Sequence, residues 1–531
     1  MKRVVLGIYF LCIVLCFLGC EPESDDHCHL QAEAENLEGQ SHGPEGHSHG
    51  PEGHSHGSEK PGSSFAELGP VTAPPDVLGA IELPDENPDP DIVEVTLVAM
   101  PMDVELLPGT TTRLWTYNGL FPGPMIRAKR GDRLIVHFHN NLPETTTVHW
   151  HGMRLPNAMD GSPMVQDPVE PGGTFEYEFT LTDAGTYWYH PHLRTHEQVE
   201  RGLYGAIVVH ERQPPEYDVE RIFALDDIRL IPETGDLAAF TEMPPDNMHG
   251  RHGNVLLLNG APVDEKQGLS IRPGSVERWR LLNSANGRFA EIDVLGAEWR
   301  VISTDGGLVP EPYTTQTLTI APGERYDIEV RWNPENSSDA AKFRYHVPML
   351  ENDQVVIWPV TMLNIVSTNE PPLEEREIRL PTVTLPEYPI LAEPTMVVEL
   401  DGGHMSDGTV KWFLNDKVFG DHEPVFVDLD SHHVIDFVNK SPFDHPLHIH
   451  GHFFKVIDKI GTTEARNGFK DTVLVPGDET VRISLIFDNP GGWMYHCHIL
   501  EHAKVGMMGV IMVVDPENPD ALSDMDMHGA H

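Results

Sequence analysis

A long internal repeat constrains the fold of this chain more than any other feature of its sequence. A Pro-Gly pair that opens a strand pattern occurs three times, about 150 residues apart, and each pair leads to a Tyr-His pair. The copies are Pro171-Gly172 with Tyr189-His190, Pro322-Gly323 with Tyr345-His346, and Pro476-Gly477 with Tyr495-His496. Short alternating strands between proline and glycine turns are typical of antiparallel sheets. The repeat therefore predicts an all-β chain of three Greek-key β-sandwich domains.

Proline-rich joints and composition divide the chain further. The joints at 213–215 and 370–372 predict domains over residues 92–212, 213–370 and 371–531, the last with a tail that contains His and Met. Residues 21–91 contain few large apolar side chains, which predicts a disordered tether. Within the tether, Pro-Glu-Gly-His-Ser-His-Gly occurs in tandem over 44–50 and 51–57, which is typical of either a weak metal site or a solvated spacer.

Residues 1–20 predict export. Lys2 and Arg3 precede an apolar run over 4–18, which is shorter than the roughly 20 residues that a membrane-spanning helix needs. A basic start, a short apolar stretch and a small residue are typical of a secretion signal. The sequence Phe17-Leu18-Gly19-Cys20 also resembles a bacterial lipobox, which predicts a lipid anchor on Cys20 and a location in the periplasm or cell envelope. An ordinary signal peptide is the alternative.

Charge and cysteine content exclude other classes of protein. The chain has 36 Lys and Arg against 83 Asp and Glu, a formal net charge of −47. A nucleic-acid-binding protein needs a basic face, and none is evident here. Of the five cysteines only Cys497 lies in the predicted folded body, because the others fall in the signal or tether (Cys12, Cys16, Cys20 and Cys28). Cys497 is therefore an inert core residue, a nucleophile or a metal ligand.

Four histidine clusters bear on this choice. They are His149-Trp150-His151, His190-Pro191-His192, His445-Pro446-Leu447-His448-Ile449-His450, and His496-Cys497-His498 followed by His502 and Met507. In a strand, residues i and i+2 point to the same face about 6.6 Å apart, and residue i+1 points to the opposite face. Each HxH pair is therefore suited to ligate neighbouring metals. In the last cluster, the Cys497 thiolate points away from the two flanking imidazoles.

Cys497 with His445, His502 and Met507 forms the donor set of a blue copper electron-transfer site. Zinc also binds Cys and His, but it has no redox role and leaves the other histidines unexplained. A nucleophilic Cys needs a base and an oxyanion donor, and no such grouping is evident. The remaining histidines divide equally between the first and third domains, which predicts a cluster at their interface. At the positions that correspond to these clusters, the middle repeat keeps only His346, and its domain is expected to be a spacer or a substrate wall.

In this order over residues 92–515, the clusters resemble those of the multicopper oxidases, a family of three cupredoxin domains that includes laccases, bilirubin oxidases and cuprous oxidases. The resemblance implies four copper ions. They are a type 1 copper at His445, Cys497, His502 and Met507, a type 2 copper at His149 and His448, and a type 3 pair at His151, His190 and His498 and at His192, His450 and His496. It also implies that electrons enter at the type 1 copper, pass through Cys497 and its flanking histidines, and reduce O₂ to two waters.

The resemblance also bears on proton delivery. Asp160, in Met159-Asp160-Gly161, matches an acidic residue that the family places near its trinuclear cluster, which implies a catalytic role beside Cys497. The alternative is a turn residue before a glycine. Many bacterial members carry an acid directly after the histidine that corresponds to His502, but Ala503 stands there, and Glu501 lies on the other side. The second proton donor is therefore open.

A methionine at the axial position implies, by resemblance, a modest type 1 potential and easily oxidised donors. We therefore expect O₂ and a small reducing substrate as partners, with laccase-like oxidation of phenols ahead of oxidation of Cu(I). The protein is expected to be a monomer. No Met-rich segment is inserted between His450 and His496, and the softer candidates for a metal-ion site are Met243, Met248, His249, His252, Met525, Met527, His528 and His531. A non-catalytic copper-sequestering envelope lipoprotein is the alternative of another class. A copper nitrite reductase is disfavoured by the HxH pairs.

Overall fold

The computed structural model describes residues 81–240, 244–333, 341–351, 354–386, 388, 393–457 and 468–517. The predicted signal peptide, the tether up to residue 80, Met243 and the tail candidates from Met525 to His531 lie outside the described residues. Within them, the sheets form three pairs, and each pair draws its strands from one stretch of chain. The predicted all-β class is confirmed. No helix in this part of the chain has the length and apolar character to cross a bilayer.

The first sandwich carries two of the histidine clusters on adjacent strands. Its strands are β1 (Ile92–Val104), β2 (Thr112–Tyr117), β3 (Gly123–Lys129), β4 (Arg133–Asn140), β5 (His149–His151), β6 (Thr174–Thr180), β7 (Gly185–His190) and β8 (Gly205–His210), with a 3-10 helix at Asn157–Met159 and helix α1 (Thr195–Glu200). The sheet orders are β2-β1-β4-β6 and β3-β8-β7-β5. Because β5 pairs antiparallel with β7, His149 lies opposite His190.

The middle sandwich has a separate core around Trp279. Its elements are β9 (Val219–Ile228), α2 (Pro244–His249), β10 (Val255–Leu258), β11 (Ala261–Pro262), β12 (Gly268–Ile271), β13 (Val276–Asn283), β14 (Ala290–Leu295), β15 (Glu298–Thr304), β16 (Gly307–Tyr313), β17 (Leu318–Ile320), β18 (Arg325–Arg331), β19 (Ala341–Glu351) and β20 (Gln354–Ser367). The sheet orders are β11-β10-β9-β13-β18-β15-β16 and β12-β20-β19-β14-β17. The second Pro-Gly pair of the repeat lies in the turn between β17 and β18.

The third sandwich carries the other two clusters. Its elements are β21 (Met396–His404), β22 (Val410–Leu414), β23 (Val425–Asp428), β24 (Ser431–Asn439), β25 (His445–Ile449), β26 (Lys455–Ile457), β27 (Thr472–Val475), β28 (Thr480–Phe487), β29 (Gly491–Cys497), α3 (Leu500–Lys504) and β30 (Met508–Val514). The sheet orders are β22-β21-β24-β28-β26 and β23-β30-β29-β25-β27. Strands β25 and β29 pair antiparallel, with His448 opposite His496.

The first and third sandwiches share one apolar cluster, which includes Trp150 of β5 and Trp493 of β29. Burying large apolar side chains from both domains in one core stabilises their contact. Strands β5, β7, β25 and β29, which carry the histidine motifs, therefore meet at this interface. The predicted domain boundaries near 212 and 370 fall between β8 and β9 and between β20 and β21.

The end of the predicted tether is part of the first sandwich. Glu82 forms a parallel bridge with Met125 of β3, and the Leu83 N–H donates to the Met125 carbonyl at 2.8 Å. Arg127 adds an ion pair with Glu82 at 2.8 Å. The prediction of a disordered tether through residue 91 does not hold for residues 81–83, whose backbone groups pair with the edge strand β3.

Candidate metal centre

The side chains of His445, Cys497 and His502 form a first group of metal-binding donors, called the thiolate group below, between β25, β29 and α3. The Cys497 Sγ is 3.6 Å from Nδ1 of His445 and 3.7 Å from Nδ1 of His502, and these two nitrogens are 3.1 Å apart. Nε2 of His502 donates to the Met248 carbonyl at 3.2 Å, which leaves an unprotonated Nδ1 facing the sulfur. Met507 is fully buried, and its carbonyl accepts the Cys497 N–H at 3.0 Å.

The protonation states of this group suit a soft metal ion. Burial lowers the pKa of His445 to about 3 and lowers the pKa of His502 well below its usual value, so both imidazoles are neutral. Burial also raises the pKa of the Cys497 thiol, so a bound cation has to displace that proton. Two buried imidazole lone pairs and a buried sulfur ligand, held close together, fit copper.

Eight buried histidines form a second group on the opposite side of β29. Five donate Nδ1–H to a protein oxygen: His149 to the Asp160 carbonyl at 2.8 Å, His190 to the Pro191 carbonyl at 2.9 Å, His448 to the Asp471 carbonyl at 3.0 Å, His450 to Asp160 Oδ2 at 2.9 Å, and His496 to the Cys497 carbonyl at 2.9 Å. These outer bonds fix each tautomer and leave Nε2 free to bind a metal.

The free nitrogens turn towards one another. Nε2 of His149, His190 and His448 has no hydrogen-bond partner among the described residues. Nε2 of His450 lies 3.2 Å from Nε2 of His496, which is 3.4 Å from Nε2 of His192. Buried lone pairs at such distances repel unless a cation lies between them, and buried polar atoms are otherwise rarely left without a partner. The donors therefore fit metal ions.

The predicted ligand sets assemble to different degrees. His192, His450 and His496 bring one donor atom each within 4.8 Å of one another, and so do His149, His448 and His450. The donor atoms of His151, His190 and His498 are not all within that distance of one another, although their ring centroids are 4.9 to 5.8 Å apart. His452 continues the alternation after His450 but lies outside the group, packed edge-on against Phe487 and Trp493.

Asp160 contacts two of these histidines. Its Oδ2 accepts the Nδ1–H of His450 at 2.9 Å, and its Oδ1 lies 3.3 Å from Nδ1 of His149. Burial on its own raises the pKa of this carboxyl, but attraction and hydrogen bonds from His450 and His149 outweigh it and hold the pKa well below the usual range. Asp160 is therefore an ionised acceptor that orients two imidazoles.

Sequence reasoning missed a second carboxylate, Asp471. Its Oδ1 lies 3.2 Å from Nε2 of His151 and 3.4 Å from Nδ1 of His448, and Arg325 holds both carboxylate oxygens at 2.8 and 2.5 Å. Burial raises the pKa of Asp471, but the charge and hydrogen bonds of Arg325 outweigh it and lower this pKa well below its usual value. The one signal in the sequence was a charged pair, Lys470-Asp471, directly before an apolar strand.

A cavity of about 450 Å³ lies beside the histidine group and is lined by His192, His496 and Ala503. The acidic residue that lines this cavity is Glu197 of α1, which forms ion pairs with Arg194 and Arg201. Glu501 does not line this cavity: it accepts the Arg251 N–H and an Asn286 amide N–H, both at 2.9 Å. Glu501 is therefore not placed to replace an acid at position 503.

Helix α2 of the middle sandwich covers the edge of the thiolate group. Its Met248 supplies the carbonyl bonded by His502, and the ring of Trp412 lies 4.4 Å from the His502 ring. The Trp412 Nε1–H donates to the Asn247 carbonyl of α2 at 2.8 Å. Met248 is buried, while His249 packs edge-on against Phe443 at 5.4 Å.

Comparisons with known proteins agree with this geometry. Three family models described as multicopper oxidase match residues 99–214, 236–350 and 391–517. The chain is 32% identical over 448 residues to the multicopper oxidase MmcO of Mycobacterium tuberculosis, covering 78% of this chain and 86% of that protein. It is 27% identical to a laccase of Bacillus subtilis, covering 76% and 91%. The solved multicopper oxidase of Campylobacter jejuni, described as a metallo-oxidase, matches with 28% identity and a TM-score of 0.69, covering 82% of this chain and 94% of that chain.

Proposed function

The chain belongs to the multicopper oxidase family, and we propose that it oxidises phenolic donors in one-electron steps while reducing O₂ to water. One observation carries this proposal. Cys497 supplies its thiol to one donor group, and its carbonyl accepts the Nδ1–H of His496 in the other group at 2.9 Å. A single backbone segment therefore joins the site for single-electron donors to the site for O₂.

We assign a type 1 copper to His445, Cys497, His502 and Met507, a type 2 copper to His149 and His448, and the type 3 pair to His151, His190 and His498 and to His192, His450 and His496. Four bound copper ions supply the one-electron redox chemistry that four-electron reduction of O₂ needs. Burial keeps the imidazoles of His445 and His502 neutral, and the chain's own residues orient the ligands by hydrogen bonds. Asp160 and Asp471 act in this second way.

Oxygen uptake by the copper-loaded protein tests the proposal, with a methoxyphenol and Cu(I) supplied in parallel. Faster uptake with the phenol is expected. Faster uptake with Cu(I) would instead make this protein a cuprous oxidase of copper tolerance. No uptake with either donor at full copper occupancy would reject the enzymatic function and favour sequestration.

Oxidation of Cu(I) is the second candidate function, because side chains with soft donor atoms lie on helix α2, next to His502. Met248 and His249 are neighbours on α2, and burial, with a smaller contribution from the nearby His404, lowers the pKa of His249. A thioether and neutral imidazoles are donors that select Cu(I). Met243, whose position would extend this set, lies outside the described residues.

Replacing Met248 with leucine separates the two substrates. Leucine conserves the volume and keeps the carbonyl that His502 bonds, but it removes the thioether. If Cu(I) binds here, kcat/KM for Cu(I) is expected to fall about tenfold while that for the phenol stays unchanged. Met362→Leu, in the core of the middle sandwich, is the control. Equal loss with both substrates would contradict a Cu(I) site on α2.

We propose that the protein is exported and anchored through a lipid on Cys20, the residue that ends the predicted lipobox. The Cys20→Ser variant is expected to appear in the soluble envelope fraction instead of the membrane fraction, because a lipid chain supplies about 0.8 kcal/mol of membrane affinity per buried CH₂. Cell fractionation with antibody detection measures this, and Cys28→Ser is the control. An unchanged membrane fraction in Cys20→Ser would reject the anchor.

A further inference from the structure

The middle sandwich contributes a buried cation to the eight-histidine group, although none of the predicted ligands comes from this domain. Arg325 begins β18, directly after the Pro-Gly turn of the second repeat. Its side chain is fully buried, and it contacts all three sandwiches. Arg325 donates to the Thr186 carbonyl of the first at 2.9 Å, to the Gly323 carbonyl of its own at 3.0 Å, and to Asp471 of the third.

The Asp471 carboxylate is the link between this arginine and the histidines. Both of its oxygens are bonded by Arg325, and the same Oδ1 faces His151 and His448 at 3.2 and 3.4 Å. A bidentate arginine contact fixes the plane of a carboxylate, not only its position. His448 also donates its Nδ1–H to the Asp471 backbone carbonyl at 3.0 Å, so Arg325 acts on both imidazoles by holding Asp471 in place.

Two glycines show how closely the domains fit at this point. Gly152, directly after His151, has φ +85°, and a Cβ there would overlap both Nη2 of Arg325 and Oδ2 of Asp471. Gly323 has φ +86°, and a Cβ there would lie 2.8 Å from Cδ2 of His498. Backbone from the first and middle domains thus packs directly on this assembly, with no room for a side chain.

We propose that Arg325 is a positioning residue of the type 2 copper site, acting through Asp471 on His448 and on the neighbouring His151. In this proposal the middle domain, expected to be a spacer or a substrate wall, also positions ligands of the histidine group. This inference rests on the copper assignment proposed above. Outer hydrogen bonds of this kind are commonly worth 10- to 100-fold in metal affinity.

The test compares Arg325→Met with Arg325→Lys in the copper-loaded full chain. EDTA is titrated while the type 2 signal is followed by electron paramagnetic resonance and the blue absorption serves as the reference for type 1 copper. In Arg325→Met, the EDTA concentration that removes half of the type 2 signal is expected to fall about 10- to 100-fold. The type 2 hyperfine splitting is expected to change, while the blue absorption stays constant. Arg325→Lys should give an intermediate loss, because lysine restores the charge but not the bidentate contact.

Arg278→Met is the matched control. Arg278 is also a fully buried arginine of the middle sandwich, and it bonds Asp327 at 3.0 and 2.6 Å. Asp327 contacts none of the proposed ligands in the described residues, so this variant should lose stability but retain type 2 copper. Wild-type resistance to EDTA in folded Arg325→Met, or equal loss in Arg278→Met, would overturn the proposal.

Arg325→Lys decides the question if Arg325→Met does not fold. Unchanged EDTA resistance and hyperfine splitting in the lysine variant would then overturn the positioning role. Removal of type 2 copper at a lower EDTA concentration than in the wild type would support it. A wild-type protein that shows no type 2 signal at full copper content would reject the copper assignment itself, which separates failure of the proposed function from failure of this inference.

Discussion

Replacing Cys497 with serine is expected to abolish the intense blue absorption and to lower phenol-dependent oxygen uptake by at least about 1,000-fold. The thiol lies 3.6 and 3.7 Å from the two imidazole nitrogens of its group, and a serine hydroxyl cannot supply the soft thiolate of a blue copper site. The eight histidines lie on the opposite side of β29, so their copper is expected to remain. Visible absorption, oxygen uptake and copper content per chain measure these three effects.

His452→Gln is the control for the Cys497 variant. His452 is buried close to His450 in the chain. Its ring packs against Phe487 and Trp493, and it belongs to neither donor group. Its replacement should preserve the blue colour, the copper content and most of the activity. Persistence of the colour in Cys497→Ser would contradict the type 1 assignment. Loss of colour in His452→Gln would show that the assignment of residues to the two donor groups is wrong.

Replacing Asp160 with asparagine is expected to lower kcat about 100-fold with copper content unchanged. Asparagine keeps the backbone carbonyl that His149 bonds, but it removes the charge that faces Nδ1 of His450. An anion hydrogen-bonded to a metal-ligating imidazole raises its basicity and fixes its orientation, and here it acts on His450 of the proposed type 3 pair. Steady-state oxygen uptake with the methoxyphenol, together with copper analysis, measures the effect.

Asp132→Asn tests the alternative that Asp160 is only a turn residue. Asp132 is also a buried aspartate beside a glycine in the first sandwich, where its Oδ2 accepts the Lys129 N–H at 2.8 Å. It contacts none of the histidines of either donor group, so its replacement should change kcat less than twofold, an effect of about 0.4 kcal/mol. Equal and small effects in both variants would assign Asp160 to the turn.

Local sequence information predicted a large part of the site. The two-residue period of a strand puts His149 with His151 and His496 with His498, and it turns Cys497 away from the last pair. Such neighbours are fixed by backbone geometry alone. The pairing of β5 with β7 and of β25 with β29 then brings these motifs side by side.

The same local reasoning had clear limits. It could not say that His452, which continues the alternation after His450, packs against aromatic rings. It also could not anticipate that residues 81–83 pair with a sheet edge, because that pairing involves Met125, far along the chain. The composition of a segment indicates how much apolar surface it is able to bury. The backbone hydrogen bonds of residues 82 and 83 depend instead on a partner that is distant in sequence.

The sequence by itself determined the all-β class, the three repeats, the donor types and their grouping by strand period, because all of these depend on residues close together in the chain. Only the tertiary structure showed that Asp471, held by Arg325, contacts the imidazoles. Arg325 and Asp471 are 146 positions apart, and His151 and Asp471 are 320 positions apart. No local pattern links such residues, and they meet only because three sandwiches pack around one buried point.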